Sequence, residues 1–529
     1  MSDETRDYAH HLRTAYRTSR IDRREFVKWS AILGLALPRL NVARAQTGTP
    51  APVPVPGGTF RFAVEPAATV EPHQLNDDAG IGTVHQVCEM LVDTDFDGNL
   101  QPRLATGWTP GDGGKSWTVA LRENVTFHND QPMTADDVVA TFKRLVDPNS
   151  GSSAVATFDF LSGEGVRKVD QFTVAFDLNR AVVDFPAYLN SYQAVILPAN
   201  WPGNFAENPT GTGAFKLVES VPQQRVRYER NPDYWLEGTP YLDSVEAITL
   251  SPDNSVTALL GGSVDHLTNP AALPLVRDNP DIKSLLVGSS GHDGVFMRVD
   301  QEPFTDKRVR QAMALCMNRP DLIASVWQGL GELGNDNVFA PNFPLSNDIG
   351  QRAQNYDEAR ALLTAAGHPN GFSATLTTSS DTAPLPTMAA VVQQMLEPVG
   401  IDIEIKAEPS SIYFNTDWLE APLSLTNWGG RATPSQYLST AYVTDSVWNA
   451  SHWSNPMFDD LVGQLDAELD FDTRKGLAEQ IQTIMTEEVP SIIPFFINAV
   501  TFLRSTAHGY VPDRIGFRDL RFTYLSPAP

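Results

Sequence analysis

At 529 residues the chain exceeds the size at which one hydrophobic core keeps growing, so two or more lobes are expected. Its 42% hydrophobic and 19% charged residues are those of an ordinary globular protein, and the scattered 39 prolines and 36 glycines argue for many loops rather than a low-complexity tail. The 64 acidic against 39 basic residues give a net charge of −25, a field that disfavours nucleic acid and anionic lipid as partners.

The first 45 residues differ from the rest, with nine Arg or Lys against five acids. In "SRIDRREFVKWSAILGLALP" the pair Arg23 and Arg24, with Phe26 beyond it, precedes a short apolar run that Gly34 interrupts and Pro38 stops. That run is far short of the roughly 20 apolar residues of a membrane span, and Ala43 and Ala45 in "VARA" give a small-x-small cleavage pattern. The segment resembles a twin-arginine export signal. A basic amphipathic anchor fits less well, because the opposite face carries no sustained apolar stripe. Cleavage after Ala45 leaves 30 basic against 59 acidic residues, a net charge of −29 on an exported, soluble chain. No cysteine stands near that site to carry a lipid anchor.

Residues 46–57, "QTGTPAPVPVPG", read as a Pro-rich, extended leader, and "GGTFRFAV" as the first strand of the folded body. In "KSWTVALREN" Trp117, Val119 and Leu121 alternate with polar neighbours, the period of a half-buried strand. "TADDVVATFKRLVDP" predicts a helix with Thr134 as N-cap, Asp137 closing a capping box, Val138, Phe142 and Leu145 as the buried stripe, and Pro148 beyond its end. "VDQFTVAFDL" and "VEAITL" supply further strands. After about residue 300 the texture turns helical: "TDKRVRQAMALCMN", then "YDEARALLTAAG" with Gly367 placed as a left-handed C-cap residue. "TMAAVVQQMLEPVG" before "IDIEIKA" is the helix-then-strand signature of an α/β unit. A helix over "RKGLAEQIQTIMTEEV" uses Leu477, Ile481, Ile484 and Met485, and Pro494 in the following "PSIIPFFINAV" argues for a sheet edge or a bulge. The two cysteines, Cys88 and Cys316, are each flanked by apolar residues and read as buried thiols, a disulfide being open but not needed at this size.

Several motifs fail on inspection. "DTDFDGNLQPRL" starts like a calcium loop but carries Leu104 where the bidentate glutamate belongs, so a hairpin turn explains it better. "GDGGKS" lacks the first glycine of a phosphate loop, Thr109 standing there. The ten histidines are dispersed without metal-ligand spacing, and "GSSGH" lacks the spacing of a nucleophile elbow. No cofactor, no metal and no catalytic residue is expected.

The ordered series "EMLVDTDFDGNLQPRLATGW", "SWTVALRENVTFHNDQPMTADDVVATFKRLVDP", "PTGTGAFKLVE", "RVRYERNPDYWLEGTPYLDSVEAITL", "PFTDKRVRQAMALCMNRPDLI" and "WSNPMFDDLVGQLDAELDFDTRKGLAEQIQTIMTEEVPSIIPFF" resembles the family 5 extracellular solute-binding proteins of ABC importers, over roughly residues 58–529. The resemblance implies an α/β, two-lobed periplasmic binding fold of the large peptide-binding kind (type II, cluster C), with a ligand cleft between lobes. Lobe I would take 58–298 plus 498–529, with an inserted subdomain near 85–205, and lobe II 299–497. It also implies a monomer that captures a peptide or a zwitterionic or anionic solute by lobe closure and hands it to a membrane permease with its ATPase. A metal chelate, opine or sugar is the alternative cargo; an exported hydrolase is the alternative of another class.

In peptide-binding members the loop matching "TNWGGRATP" commonly carries an aspartate for the peptide's α-amino group. Here no acid stands between Trp428 and Pro434, and Arg431 occupies the loop. Arg431 either clamps a carboxylate of the cargo through its planar fork, with Trp428 stacking beside it, or pairs with an acid of its own lobe and braces the loop. Asn427 and Gly430 of the same loop, Trp453 in "SHWSNP", Phe296 at the expected crossover and Glu65 after the first strand complete the expected ligand-binding set.

Overall fold

The computed structural model describes residues 54–95, 98–152, 154–512 and 517–526. The expected export signal and its cleavage site lie outside them. The chain falls into two units, Met1–Val287 with Val500–Pro529, and Gly288–Ala499.

Unit 1 opens with β1 (Thr59–Val64) and α1 (Asp78–Val84), the latter capped by the Asp77 carboxylate, which accepts from the Gly80 N–H. The hairpin β2 (Val92–Thr94) and β3 (Leu100–Pro102) occupies the false calcium loop, where the Asp95 carboxylate is taken up by Asn99 and Gln101. Then β4 (Ala105–Gly111), β5 (Ser116–Leu121), β6 (Leu161–Asp170) and β7 (Thr173–Leu178) form a separate four-stranded sheet in the order β4-β5-β7-β6. Trp117, Val119 and Leu121 all point inward along β5. Between these strands runs α2 (Ala135–Leu145), which starts on the expected capping box: Thr134 accepts from the first turn and the Asp137 carboxylate accepts from the Thr134 N–H at 2.7 Å.

The main sheet of unit 1 adds β8 (Phe215–Val221), β9 (Arg225–Arg230), β10 (Ser244–Thr249), β11 (His266–Leu267) and β12 (Ile282–Gly288). Its central strand β1 runs parallel to both β10 and β11. Its core is aromatic-rich, built on Phe60, Phe62, Phe215 and Tyr228 with Cys88 among them.

Unit 2 is organised on the sheet β16-β15-β17-β13-β18. Here β13 is His292–Met297, β14 is Gly331–Leu333, β15 is Phe372–Ser379, β16 is Ile401–Glu408, β17 is Leu423–Trp428 and β18 is Ser491–Ile492. Helices α3 (Lys307–Leu315), α4 (Arg319–Trp327), α5 (Tyr356–Ala365) and α6 (Leu385–Leu396) contribute to its apolar core. Gly367 follows α5 with φ 91°, the left-handed geometry the C-cap needs. Then come α7 (Ser435–Ala441), α8 (Pro456–Ala467) and α9 (Phe471–Glu488). Pro494 sits in the break between β18 and β19 (Phe495–Arg504), and β19 carries the chain out of unit 2 and back into unit 1.

The first segment of unit 1 ends at Val287, earlier than the boundary near 298 that the sequence suggests. The reason is pairing: β13 hydrogen-bonds antiparallel to β17 and β18, so Phe296 and its neighbours belong to the second sheet. Both thiols are free and buried. Burial pushes the Cys316 thiol up to about 12, so it stays protonated and unreactive at neutral pH.

Candidate functional site

The loop after β17 is held by two segments distant in the chain. Where β17 ends at Trp428 it pairs with His292 of β13, and the turn before β13 lies against the loop. Gly291 permits that approach, since a Cβ there would stand 3.2 Å from the Trp428 carbonyl and 3.3 Å from the Gly430 nitrogen. Ser290 then clasps the Arg431 backbone: its Oγ accepts from the Arg431 N–H at 2.8 Å and donates to the Arg431 carbonyl at 2.8 Å. Tyr437, on α7, brings its hydroxyl within 2.7 Å of the Gly429 carbonyl and 2.9 Å of the Ser290 carbonyl. The Gln436 Oε1 accepts from the N–H groups of Ala432 at 2.9 Å and Thr433 at 3.3 Å. Backbone on both sides of Arg431 is therefore fixed before any ligand arrives.

The side chain of Arg431 is the exception. Its guanidinium reaches the Gly430 carbonyl at 3.4 Å and lies 6.0 Å from the centre of the Tyr437 ring. No carboxylate among the described residues pairs with it, although the chain carries 64 acids. Other arginines of the unit are served: Arg298 by Asp300 and Glu420, Arg319 by Asp336. Among the described residues no acid stands with Arg431 to make the brace expected as one reading of it, and the loop is already clamped by Ser290, Gln436 and Tyr437.

Beside this arginine stands an aromatic wall. Trp428 is 6% exposed and its ring lies parallel to His292 at 6.5 Å. Tyr437 and Phe496 close on the same imidazole at 5.1 and 5.7 Å. His292 Nδ1 donates to the Ser290 carbonyl at 3.0 Å, which fixes the tautomer and leaves Nε2 without a partner. Burial, reinforced by the charge of Arg431, lowers the His292 pKa to about 4, so the ring is neutral and adds no second cation to the site. On the opposite face of β13, Asp293 is fully buried, with one carboxylate oxygen accepting from the Trp327 indole at 2.7 Å and the other unpartnered. Burial pushes its pKa up to about 7 despite that hydrogen bond.

Of the residues expected from sequence, Asn427, Trp428, Gly430 and Arg431 share this loop and its strand. Phe296 is 1% exposed inside the β13 strand, opposite Ser424. Trp453 turns onto Phe458 at 4.7 Å and is 4% exposed. Glu65 is an exposed residue of unit 1, just past β1. Sequence reasoning missed Ser290, His292 and Tyr437. Ser290 stands in the "GSSGH" stretch that was of interest only as a nucleophile elbow, and nothing in it signals a partner 141 residues away. Ser290→Ala is expected to lower the stability of unit 2 by about 1–2 kcal/mol, since it leaves an N–H and a carbonyl of the loop without their partner; urea unfolding checks this.

An α/β sheet carrying a rigid loop with an unpaired cation beside aromatic rings, in a chain of two units, has the build of a solute-binding protein. The fold comparison agrees. The PBP AgaA of A. tumefacien R10 in complex with agropinic acid superposes with TM-score 0.78 at 22% identity, over 89% of this chain and 99% of that one. The periplasmic binding protein DppA of Helicobacter pylori, in complex with the peptide STSA, does so with TM-score 0.77 at 23% identity, over 89% and 98%. The fold is the two-lobed periplasmic binding fold of the large peptide-binding kind. The model of the bacterial extracellular solute-binding proteins, family 5, matches residues 99–450, and the chain belongs to that family. Among curated relatives, the dipeptide-binding protein of Escherichia coli K12 is 26% identical over 453 residues, covering 78% of this chain and 84% of its own. Heme-binding protein A of Haemophilus influenzae is 26% identical over 462 residues, covering 79% and 83%.

Proposed function

We propose that the protein is the periplasmic substrate-binding subunit of an ABC importer, exported by the twin-arginine route as a soluble monomer. It binds without turnover, takes up a small zwitterionic or anionic organic solute by closure of its lobes, and delivers it to the membrane permease driven by a separate ATPase. Family membership supports the transport role, and the curated relatives supply the peptide-type precedent. No helix among the described residues is long and apolar enough to cross a membrane.

The observation that carries the cargo reading is the unpaired Arg431 on a fixed loop. A guanidinium offers a planar pair of donors to a carboxylate, and such charge-assisted pairs are about twice as strong as neutral hydrogen bonds. Because the loop is already ordered by Ser290, Gln436 and Tyr437, little entropy remains to be lost when the cargo arrives. Trp428 stands three positions before Arg431 in the chain and packs on Tyr437, the ring nearest the guanidinium, while Asn427 alternates to the other face of β17.

Arg431→Ala is expected to weaken binding of the native cargo by roughly 30- to 1000-fold, the equivalent of about 2–4 kcal/mol for a charged hydrogen-bonded contact. Its folding stability should change by no more than about 0.5 kcal/mol, because no ion pair is lost. Isothermal titration with cargo released from the wild-type protein measures the first, and thermal unfolding the second. Unchanged affinity in the variant would remove Arg431 from the site.

A further inference from the structure

Three tryptophans from separate segments of unit 2 meet around Trp428, three positions before Arg431 in the chain. The centroids of Trp418 and Trp428 are 6.1 Å apart, those of Trp428 and Trp448 5.8 Å, and those of Trp418 and Trp448 6.2 Å. Trp428 ends β17, Trp448 follows α7, and Trp418 directly follows a π-helical turn at Tyr413–Asp417. Such turns are rare and recur at functional sites. Phe414, on that turn, meets Trp418 edge-on at 5.9 Å and is 37% exposed.

Packed aromatic rings are ordinary core material, but two features of this group do not fit a closed core. First, the indole N–H groups of Trp418 and Trp428 are buried and have no acceptor among the described residues, whereas a buried indole N–H ordinarily finds one. Second, Trp418 and Trp448 are only half-buried and continue into the exposed side chains of Phe414 and Val447. The group is also continuous with the unpaired cation. Trp428 touches Tyr437 at 5.9 Å, and the Arg431 guanidinium lies 6.0 Å from that same ring.

We propose that Trp418, Trp428, Trp448 and Phe414 form an aromatic subsite contiguous with Arg431, and that the cargo is an organic acid carrying an aromatic or heteroaromatic ring. An oxygen or nitrogen acceptor on or next to that ring takes an indole N–H, the ring packs edge or face against the tryptophans, and the acid group meets the guanidinium. This narrows the cargo class, and it rests on the reading that Arg431 contacts the cargo.

The test is titration of the full exported protein with N-benzoylglycine, which joins a ring, a carbonyl acceptor and a carboxylate; with N-acetylglycine, which lacks the ring; and with trialanine. The wild type is expected to bind N-benzoylglycine about tenfold more tightly than N-acetylglycine, the worth of one good aromatic contact. Trp418→Leu should erase that ratio, and Trp418→Phe, which keeps one aromatic ring but loses the N–H and the second ring of the indole, should reduce it about threefold. Should Trp418→Leu fail to give a native circular dichroism spectrum, Trp448→Leu takes its place. Arg431→Ala should weaken both glycine conjugates equally. Equal binding of the two conjugates by the wild type, an unchanged ratio in the tryptophan variants, or binding of trialanine alone overturns the aromatic subsite. A ratio that survives while Arg431→Ala binds both acids as tightly as the wild type overturns the Arg431 reading and leaves the rings standing. Binding of none of the three overturns both.

Discussion

Glu89→Ala is expected to destabilise unit 1 by about 3–5 kcal/mol, the cost of stripping one partner from a buried ionic group. Glu89 is fully buried, and both oxygens are saturated. One accepts from Arg103 Nε at 2.9 Å and the Tyr234 hydroxyl at 2.6 Å, the other from Thr212 Oγ1 and the Trp235 indole, each at 2.9 Å. Arg103 passes on to Asp93 at 3.1 Å, Arg521 reaches Asp93 at 2.6 Å, and Asp519 closes on Arg521. The chain's last strands are thereby tied into the core next to α1 and β2. Burial alone pushes the Glu89 carboxyl up, but the charges of Arg103 and Arg521 with the Tyr234 and Trp235 hydrogen bonds outweigh it and hold the pKa below the ordinary 4.5. Removing the carboxylate takes away the acceptor shared by Arg103 Nε and three further donors and leaves Arg103 with Asp93. Since the folded pKa is depressed, the stability Glu89 contributes is present at neutral pH and lost as pH falls through the folded value, so the gap between wild type and variant should shrink in acid. Urea unfolding at pH 7 and at pH 3 checks both parts.

Asp293→Asn is expected to act in the opposite direction and at the opposite end of the pH scale. In the folded chain Asp293 holds its proton up to about pH 7, against an ordinary value of 3.8. A raised folded pKa means that its contribution is fully present below about pH 4 and lost as pH rises to about 7. A gap of that size corresponds to roughly 4 kcal/mol as a ceiling. The amide keeps an acceptor for the Trp327 indole but cannot ionise, and it places an N–H2 where an unpartnered oxygen stood, at a cost of about 1–3 kcal/mol. Relative to wild type, the variant should therefore be less stable at pH 4 and equal or more stable at pH 8. The expected swing between the two is about 3–4 kcal/mol. Unfolding free energies of both proteins across that range measure it, and parallel pH profiles would contradict it.

Both predictions rest on residues the sequence did not advertise, and the reason is distance. The helix opened by Thr134 and Asp137 and the left-handed Gly367 were legible because their partners lie within one turn. The Trp428 to Arg431 loop was legible for a related reason, since an arginine among glycines in so acidic a chain is conspicuous in the string itself. Whether that arginine was paired was not legible, because the answer depends on which of 64 acids folding brings near it. Ser290 and Tyr437, which shape the loop, meet across 147 residues, and Gln86 reaches the Arg518 carbonyl across 432. The assignment of β13 to the second unit was hidden likewise, because an apolar strand does not carry the name of the strand it pairs with. Phe296 was chosen for its place near a crossover, and that strand pairing puts it in the interior of a sheet.

Native mass spectrometry of the exported protein, purified without refolding, followed by identification of any small molecule it releases, tests the central claim most directly. The expected result is a retained compound bearing a carboxylate or another oxyanion, at occupancy that collapses in Arg431→Ala. A released cation with no acid group, or the same occupancy in both proteins, would contradict it.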